Sequence, residues 1–155
     1  MRKQKDIKVC LVCSSGGHFF ELYCLRSLWC DYDHFWVTFP GRDTQHLLRD
    51  EKMYWAYFPT NRSVKNLIRN LALALRVLTQ EKPSVIISTG AGVSVPFFCL
   101  GRILGINTIY IESMTRTNDL SLSGKLVYPV VRNFFVQWPE LAVKYPRARF
   151  SGQVL

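Results

Sequence analysis

The stretch that decides the fold is residues 7–29, IKVCLVCSSGGHFFELYCLRSLW, in which a Gly-rich turn joins an apolar run to a helical pattern. Residues 7–13 are almost continuously apolar, which predicts a strand buried on both faces of a sheet. Residues 18–29 carry three leucines on one side of a predicted helix. A buried strand followed by an amphipathic helix is the repeating unit of a parallel α/β sheet.

The same alternation continues to the end of the chain. Further strands are predicted over 35–39, 53–58, 84–88, 107–112 and 133–137, further helices over 44–51, 63–80, 94–104 and 120–128, and a helical turn over 139–145. A chain of 155 residues has the size of one domain. We therefore predict an α/β fold, a single Rossmann-like domain over residues 1–155 with a parallel sheet.

Composition narrows the class of partner. An apolar fraction of 48% excludes a disordered chain, and a formal charge of +9 predicts an acidic partner. Nucleic acid is disfavoured, because the tryptophans sit in or beside apolar runs and are not interleaved with basic residues. The odd count of five cysteines favours a reducing cytoplasm. Glycines and prolines interrupt the apolar region 84–111, so we predict no transmembrane helix.

The loop Ser14-Ser15-Gly16-Gly17-His18 is the first predicted binding element, because ligands of such sheets lie beyond the carboxyl ends of the strands. Two glycines let the backbone approach a ligand closely, and a helix start favours an anion. His18 could donate a hydrogen bond to a phosphate or carry a proton. The alternative is a tight turn with a capping serine and a histidine without a role.

Two later loops point to the same edge of the sheet. Gly90 and Gly92 follow the fourth predicted strand, which indicates a second loop facing one extended anionic ligand, or glycines that only make a sharp turn. Glu112 ends the fifth strand, where a carboxylate suits a sugar hydroxyl or proton transfer. The alternative for Glu112 is a surface carboxylate paired with Arg116.

The common cofactor motifs are missing. Neither a dinucleotide fingerprint nor a P-loop fits the Gly-rich turns. Cys10 and Cys13 lie in one predicted strand and should point to opposite faces, and no second cysteine pair completes a zinc site. We therefore predict buried, inert cysteines and neither a metal nor a cofactor.

Basic residues cluster in two places, at Arg2, Lys3 and Lys5 and on the long predicted helix 63–80. On that helix Lys65, Arg69 and Arg76 fall within about 40° of one another. Apolar residues also extend beyond a single stripe, because Leu73 and Val77 fall outside the main apolar face. This pattern suits either a helix on an anionic membrane surface or a solvated edge beside a large core.

Several stretches together resemble the acceptor-side subunit of split GT-B glycosyltransferases, over essentially the whole chain. One branch of that family is the membrane-anchor subunit of the transferase that adds the second N-acetylglucosamine to dolichol-diphosphate-GlcNAc. The other is a bacterial capsule and exopolysaccharide subunit, a galactosyltransferase enhancer or glucuronosyltransferase component. The matching stretches are residues 14–18 with Glu21, 88–96, 110–113 with Arg116, 120–125, and 136–139 with 144–146.

The resemblance implies the N-terminal half of a GT-B enzyme, with a separate catalytic chain that binds the UDP-sugar. It implies acceptor binding by the Gly-Gly-His loop, which is also similar to that of the lipid II-forming transferase, and by Glu21, Gly90, Gly92 and Arg116. The tail with Gly152, Val154 and Leu155 would contact the partner. The eukaryotic branch has an amino-terminal anchor that is not seen here, which favours the bacterial branch.

The expected function is therefore a subunit of a two-chain transferase in polysaccharide biosynthesis, peripheral on the cytoplasmic face of the membrane and inactive alone. It would bind a lipid-diphosphate-sugar acceptor and recruit the catalytic chain to the membrane. The general base would be His18, Glu112 or a group on the partner. Two alternatives are a non-catalytic membrane scaffold and a free-standing nucleotide-sugar-binding enzyme.

Overall fold

The computed structural model describes residues 4–60 and 63–154. Its strands and helices alternate along the chain as the sequence predicts. The strands are β1 (Gln4–Val12), β2 (Tyr32–Thr38), β3 (Met53–Trp55), β4 (Val85–Ser88), β5 (Asn107–Ile111), β6 (Asn133–Val136) and β7 (Ala148–Phe150). The helices are α1 (Gly17–Cys24), α2 (Arg42–Leu47), α3 (Val64–Glu81), α4 (Ser94–Ile103), α5 (Leu122–Val127) and α6 (Pro139–Lys144).

The strands form one sheet in the order β3-β2-β1-β4-β5-β6-β7, and every neighbouring pair is parallel. The prediction of a Rossmann-like domain with a parallel sheet is confirmed. Because the strands are parallel, all their carboxyl ends meet at one edge, and the chain order reverses beside β1. That reversal is where ligands bind in open α/β sheets.

Several element boundaries differ from the prediction. The first helix ends at Cys24 and a 3₁₀ turn over Arg26–Leu28 follows, so that Trp29 turns inward and donates a hydrogen bond to the Leu22 carbonyl at 3.0 Å. Strand β3 ends at Trp55 because the backbone of Tyr57 bonds to a side chain of α3. The short strand β7 was not predicted, since of its three residues only Ala148 is buried.

Two apolar clusters cover the two faces of the sheet. One lies under α3 to α6 and includes Cys10, whereas the other lies under α1 and the 3₁₀ turn and includes Cys13. Both cysteines are fully buried, and burial raises the pKa of the Cys13 thiol to about 12. The prediction that they point to opposite faces is confirmed, and thiols with raised pKa values are unreactive.

Helix α3 does not pack on the centre of the face that its apolar pattern indicates, because the packed face is turned from it by roughly 110° around the helix axis. The predicted main stripe has six residues, of which five are exposed and the sixth, Leu78, is buried. The packed face also contains Leu73 and Val77, which were expected outside the stripe. The exposed apolar residues of α3, called the α3 apolar stripe below, are Val64, Leu67, Ile68, Leu71 and Leu75.

The cause is a pair of buried asparagines on the packed face. Asn70 accepts a hydrogen bond from the Tyr57 N–H and donates one to the Tyr57 carbonyl, both at 2.9 Å, and Asn66 donates to the Pro59 carbonyl at 2.9 Å. These bonds satisfy backbone groups that follow β3, and they orient the helix against its hydrophobic periodicity.

Candidate functional site

A cleft of about 470 Å³ opens beyond the carboxyl ends of the strands. Loops after β1, β2, β4 and β5, together with the segment after β3, contribute to it. Its lining includes four residues that the sequence predicted, Ser14, His18, Gly92 and Arg116, and nine that it did not, Phe39, Phe58, Pro59, Thr60, Ala91, Thr115, Ser121, Leu122 and Ser123.

His18 connects the two Gly-rich loops. Its Nδ1 lies 2.8 Å from the Thr89 carbonyl oxygen, and the Thr89 hydroxyl donates to the His18 carbonyl at 2.5 Å. A carbonyl can only accept, so Nδ1 carries a proton and, in the neutral ring, Nε2 is left as the basic nitrogen. A β-carbon on Gly90, where φ is +122°, would lie 2.9 Å from His18 Cε1. The glycine is needed for this contact, and the histidine is held in place.

The first loop already contains an anion from the same chain. Gly16 has a φ of 82° before α1, and its N–H donates to Asp43 Oδ2 at 2.7 Å. Asp43 lies in the first turn of α2, 27 positions after Gly16, and no pattern in the sequence predicts this contact. Gly16 and Gly17 are exposed at the loop tip, with open space where a β-carbon would stand. The N–H of Gly16 is therefore already bonded to Asp43 and cannot bind a ligand, whereas a ligand can still approach Gly17.

Glu112 is fully buried, so the alternative of a surface carboxylate paired with Arg116 is wrong. Its Oε2 accepts hydrogen bonds from the Ser121 N–H at 2.9 Å and hydroxyl at 3.0 Å, and its Oε1 accepts from the Ser113 N–H at 3.1 Å. Burial raises the pKa of Glu112, and these hydrogen bonds act against that rise. Gly124 leaves room for the carboxylate, since a β-carbon there would collide with Oε2.

Glu21 is also buried, and its carboxylate bonds to the loop after β5 of the same chain. Its Oε1 accepts from the Ser113 hydroxyl at 2.9 Å and from the Met114 N–H at 3.2 Å. Glu21 and Glu112 thus hold the two sides of the loop after β5, from which Arg116 extends into the cleft.

Six predicted residues lie outside the described lining of the cleft: Ser15, Gly16, Gly17, Glu21, Gly90 and Glu112.

An apolar groove of about 660 Å³ adjoins the cleft. The two share four lining residues, Thr60, Gly92, Leu122 and Ser123. The groove is completed by Ser63, Val64 and Leu67 at the start of α3, by Val95 of α4 and by Leu126 of α5.

The predicted membrane surface is described in part. Lys65, Arg69 and Arg76 are exposed on α3, and the Arg69 guanidinium lies 5.3 Å from the centre of the Tyr57 ring. Lys5 falls in β1. Arg2 and Lys3 lie outside the described residues. In the part of the chain that the structure covers, no helix is long and apolar enough to cross a membrane.

The predicted partner-binding tail leaves the same edge of the sheet as the cleft. Gly152 is exposed, with a φ of +110°, whereas Val154 is half-buried and donates its N–H to Gln137 Oε1 at 2.8 Å. Gln137 in turn donates to the Glu112 carbonyl at 3.0 Å. Val154 is thus anchored on its own chain, and Leu155 lies outside the described residues.

Metal-ligating side chains do not converge at the cleft. Within residues 4–60 and 63–154, no three His, Cys, Asp or Glu side chains stand close enough to hold a metal ion. The described lining of the cleft offers the imidazole of His18, the guanidinium of Arg116, several hydroxyl groups and the rings of Phe39 and Phe58.

Fold and cleft together define the class of protein, a Rossmann-like domain of the kind that forms half of a GT-B glycosyltransferase. The crystal structure of Acinetobacter baumannii MurG superposes with a TM-score of 0.71 at 18% identity, over 86% of this chain and 42% of that one. The present chain thus corresponds to less than half the length of that enzyme.

The chain belongs to the family described as "Oligosaccharide biosynthesis protein Alg14 like", whose model matches residues 57–154. The UDP-N-acetylglucosamine transferase subunit ALG14 of Debaryomyces hansenii is 33% identical over 89% of this chain and 72% of the relative. The human subunit of the same name is 27% identical over 98% of this chain and 85% of the relative. These matches support the dolichol-diphosphate branch of the resemblance and give no support to the capsule and exopolysaccharide branch.

Proposed function

We propose that this chain is the acceptor-binding subunit of a UDP-N-acetylglucosamine transferase in lipid-linked oligosaccharide biosynthesis, and that a separate chain binds the UDP-sugar. The observation that carries the proposal is the cleft at the topological switch point, with His18 and Arg116 on its lining, in a chain of the Alg14 family. The sugar donor follows from the names of the relatives.

The cleft suits the diphosphate of a lipid-linked acceptor. Arg116 offers a guanidinium fork for phosphate oxygens, and Thr60 and Ser123 offer hydroxyl donors on the same lining. The N–H groups in the first turn of α1, from Gly17 onward, have no acceptor within the helix. They favour a negative charge near His18.

Within this cleft we assign different roles to the two predicted catalytic residues. His18 lines the cleft and has Nε2 available, so it is our candidate for the general base that takes a proton from the acceptor hydroxyl. Glu112 is closed off from solvent and fixes the start of α5, which makes it a positioning residue.

The catalytic partner would cover the cleft from the carboxyl edge of the sheet. That edge carries the exposed Gly152 and, on the family resemblance, the following residues to the end of the chain. The α3 apolar stripe and the basic residues Lys65, Arg69 and Arg76 would rest on an anionic membrane, peripherally. The chain would thereby bring its partner to the membrane.

One contact favours the alternative of a non-catalytic scaffold. The Asp43 carboxylate occupies the Gly16 amide and places a negative charge at the loop that was expected to bind the diphosphate. If the acceptor never enters this cleft, the chain would only recruit and orient the catalytic subunit.

The deciding experiment uses His18→Ala and Arg116→Ala in the complex co-expressed with its catalytic chain, with transfer from UDP-GlcNAc to a lipid-diphosphate-GlcNAc acceptor as the readout. We expect His18→Ala to lower kcat by about 100-fold or more, as for loss of a general base, and Arg116→Ala to raise KM. The control is Arg102→Ala, on an exposed arginine of α4. Normal assembly with unchanged activity in both variants would leave only the scaffold.

A further inference from the structure

The apolar groove is a feature that the fold itself does not require. Its mouth is formed by leucines that remain in contact with solvent, with Leu122 76%, Leu126 51% and Leu67 46% exposed. Three elements, α3, α4 and α5, contribute to one concave surface. A contiguous, concave apolar surface of this kind indicates a ligand. Its volume of about 660 Å³ is that of a small-molecule pocket.

The groove and the cleft form one continuous depression with two different chemistries. The cleft has Arg116 and His18, and the groove has aliphatic side chains. Thr60 and Gly92 line both cavities at the junction. A β-carbon on Gly92 would lie 3.0 Å from Thr60 Cβ and 3.1 Å from its Oγ1, so even an alanine would narrow the passage.

We propose that the apolar groove binds the first isoprene units of the acceptor's hydrocarbon chain while the cleft holds its diphosphate. The inference rests on the proposed function and extends it from the headgroup to the lipid. A polyisoprenyl diphosphate has an anionic end and a long apolar end, in the order in which the two cavities are joined. A free nucleotide has no group for the groove, and a flat bilayer contacts ridges without filling a concavity.

The position of the groove also lets the hydrocarbon chain of the lipid leave it toward the membrane. Val64 and Leu67 line it and belong to the α3 apolar stripe, which continues outward through Ile68, Leu71 and Leu75. Hydrocarbon leaving the groove would pass along this stripe. The lipid chain would thus reach the cleft from the membrane surface along mostly aliphatic side chains.

The test measures the affinity of the full chain for a series of diphosphates by calorimetry: inorganic pyrophosphate, isopentenyl diphosphate and farnesyl diphosphate. We expect farnesyl diphosphate to bind about tenfold or more tightly than isopentenyl diphosphate, because it buries additional methylene groups. In Leu67→Ser/Leu126→Ser this advantage should shrink to within about twofold, whereas pyrophosphate affinity stays unchanged, since neither leucine lines the cleft.

The control is Val143→Ser, an equally apolar-to-polar change at an 85% exposed site on α6. It should leave the whole series unchanged. If the double variant unfolds, Val64→Ser replaces it, because Val64 is 70% exposed and lines the groove but not the cleft.

The outcomes separate the two proposals. If pyrophosphate binds but chain length adds nothing, the groove assignment is overturned and the anion site stands. If none of the three diphosphates binds, the proposed acceptor site fails and this inference fails with it. An equal loss in Val143→Ser would mean nonspecific partitioning and would overturn the groove. So would a double variant that loses binding to anionic vesicles but keeps its preference for farnesyl diphosphate, because the leucines would then be a membrane contact.

Discussion

At the scale of single residues, the two predicted catalytic side chains separate into two different environments. His18 is fixed by the Thr89 carbonyl and lines the cleft, which keeps its second ring nitrogen available. Glu112 is fully buried, and its carboxylate accepts bonds from Ser121 and Ser113. Both residues follow the carboxyl end of a strand and lie at the same edge of the sheet, but of the two only His18 is on the described lining of the cleft.

A third buried carboxylate besides Glu112 and Glu21, that of Glu81, gives a prediction of pH dependence. Burial by itself raises the pKa of Glu81, but hydrogen bonds from Lys52, Lys8 and Tyr54 outweigh burial and lower the pKa from 4.5 to about 2. A carboxyl whose folded-state pKa is lowered stabilises the fold above its unfolded pKa, and this contribution is lost as the pH falls from about 4.5 toward about 2.

Glu81→Gln should therefore lower the free energy of unfolding by about 1–3 kcal/mol at pH 7. The difference from wild type should shrink as the pH approaches 2. Urea unfolding at pH 7, 4 and 2.5 measures both effects. Asp31→Asn, at an exposed position, is the control and should change little. A difference that is constant with pH would mean that the charge of Glu81 contributes nothing to stability.

At the scale of elements, the orientation of α3 depends on asparagines and not on its leucines. Asn70 bonds to both backbone groups of Tyr57, whereas Leu71 next to it is 44% exposed. A buried amide that loses its partner costs more free energy than an exposed methyl group contributes. The face that carries the two asparagines therefore becomes the packed face of the helix, together with Leu73 and Val77.

Asn70→Ala should cost about 2–3 kcal/mol of unfolding free energy, because it leaves the N–H and carbonyl of Tyr57 without partners. The matched change Leu71→Ser on the exposed side should cost less than about 0.5 kcal/mol. Chemical denaturation of both variants checks the pair. The reverse order of destabilisation would show that the α3 apolar stripe is packed in solution and would contradict the described orientation.

At the scale of the whole molecule, the charges of α3 should govern attachment to a membrane. Lys65, Arg69 and Arg76 are exposed beside the α3 apolar stripe, and a basic residue near an anionic surface contributes about 1 kcal/mol. Replacing all three by glutamine should weaken binding to phosphatidylserine vesicles by roughly 100-fold. It should also reduce the salt dependence of that binding.

Vesicle sedimentation at two ionic strengths measures this effect. Arg49→Gln is the control, because Arg49 follows α2 on the opposite side of the sheet. If Arg49→Gln weakens binding per charge as much as the α3 changes do, attachment is a property of the net charge of +9 and not of this helix.

The sequence alone determined the α/β alternation, the parallel sheet and the loops that reach its carboxyl edge. These features follow from local patterns, namely continuous apolar runs, helical periodicity and Gly-rich turns between them. Ser14, His18, Gly92 and Arg116 could be placed at the cleft because every parallel strand ends at the same edge. The family resemblance came from motifs at those same ends.

Only the tertiary structure decided which polar groups face inward. The Asp43 contact with Gly16 and the Asn70 contact with Tyr57 join residues 27 and 13 positions apart. No periodicity along the chain records such pairs. The sequence shows that the α3 apolar stripe is apolar. Whether the stripe meets the core or the solvent depended on backbone groups of Tyr57 and Pro59, which bond to the amides of Asn70 and Asn66 on the packed face. The hydrophobic effect is not directional, so it does not by itself fix how a helix is rotated against the core. Hydrogen bonds are directional, and polar groups that need a partner therefore fix that rotation.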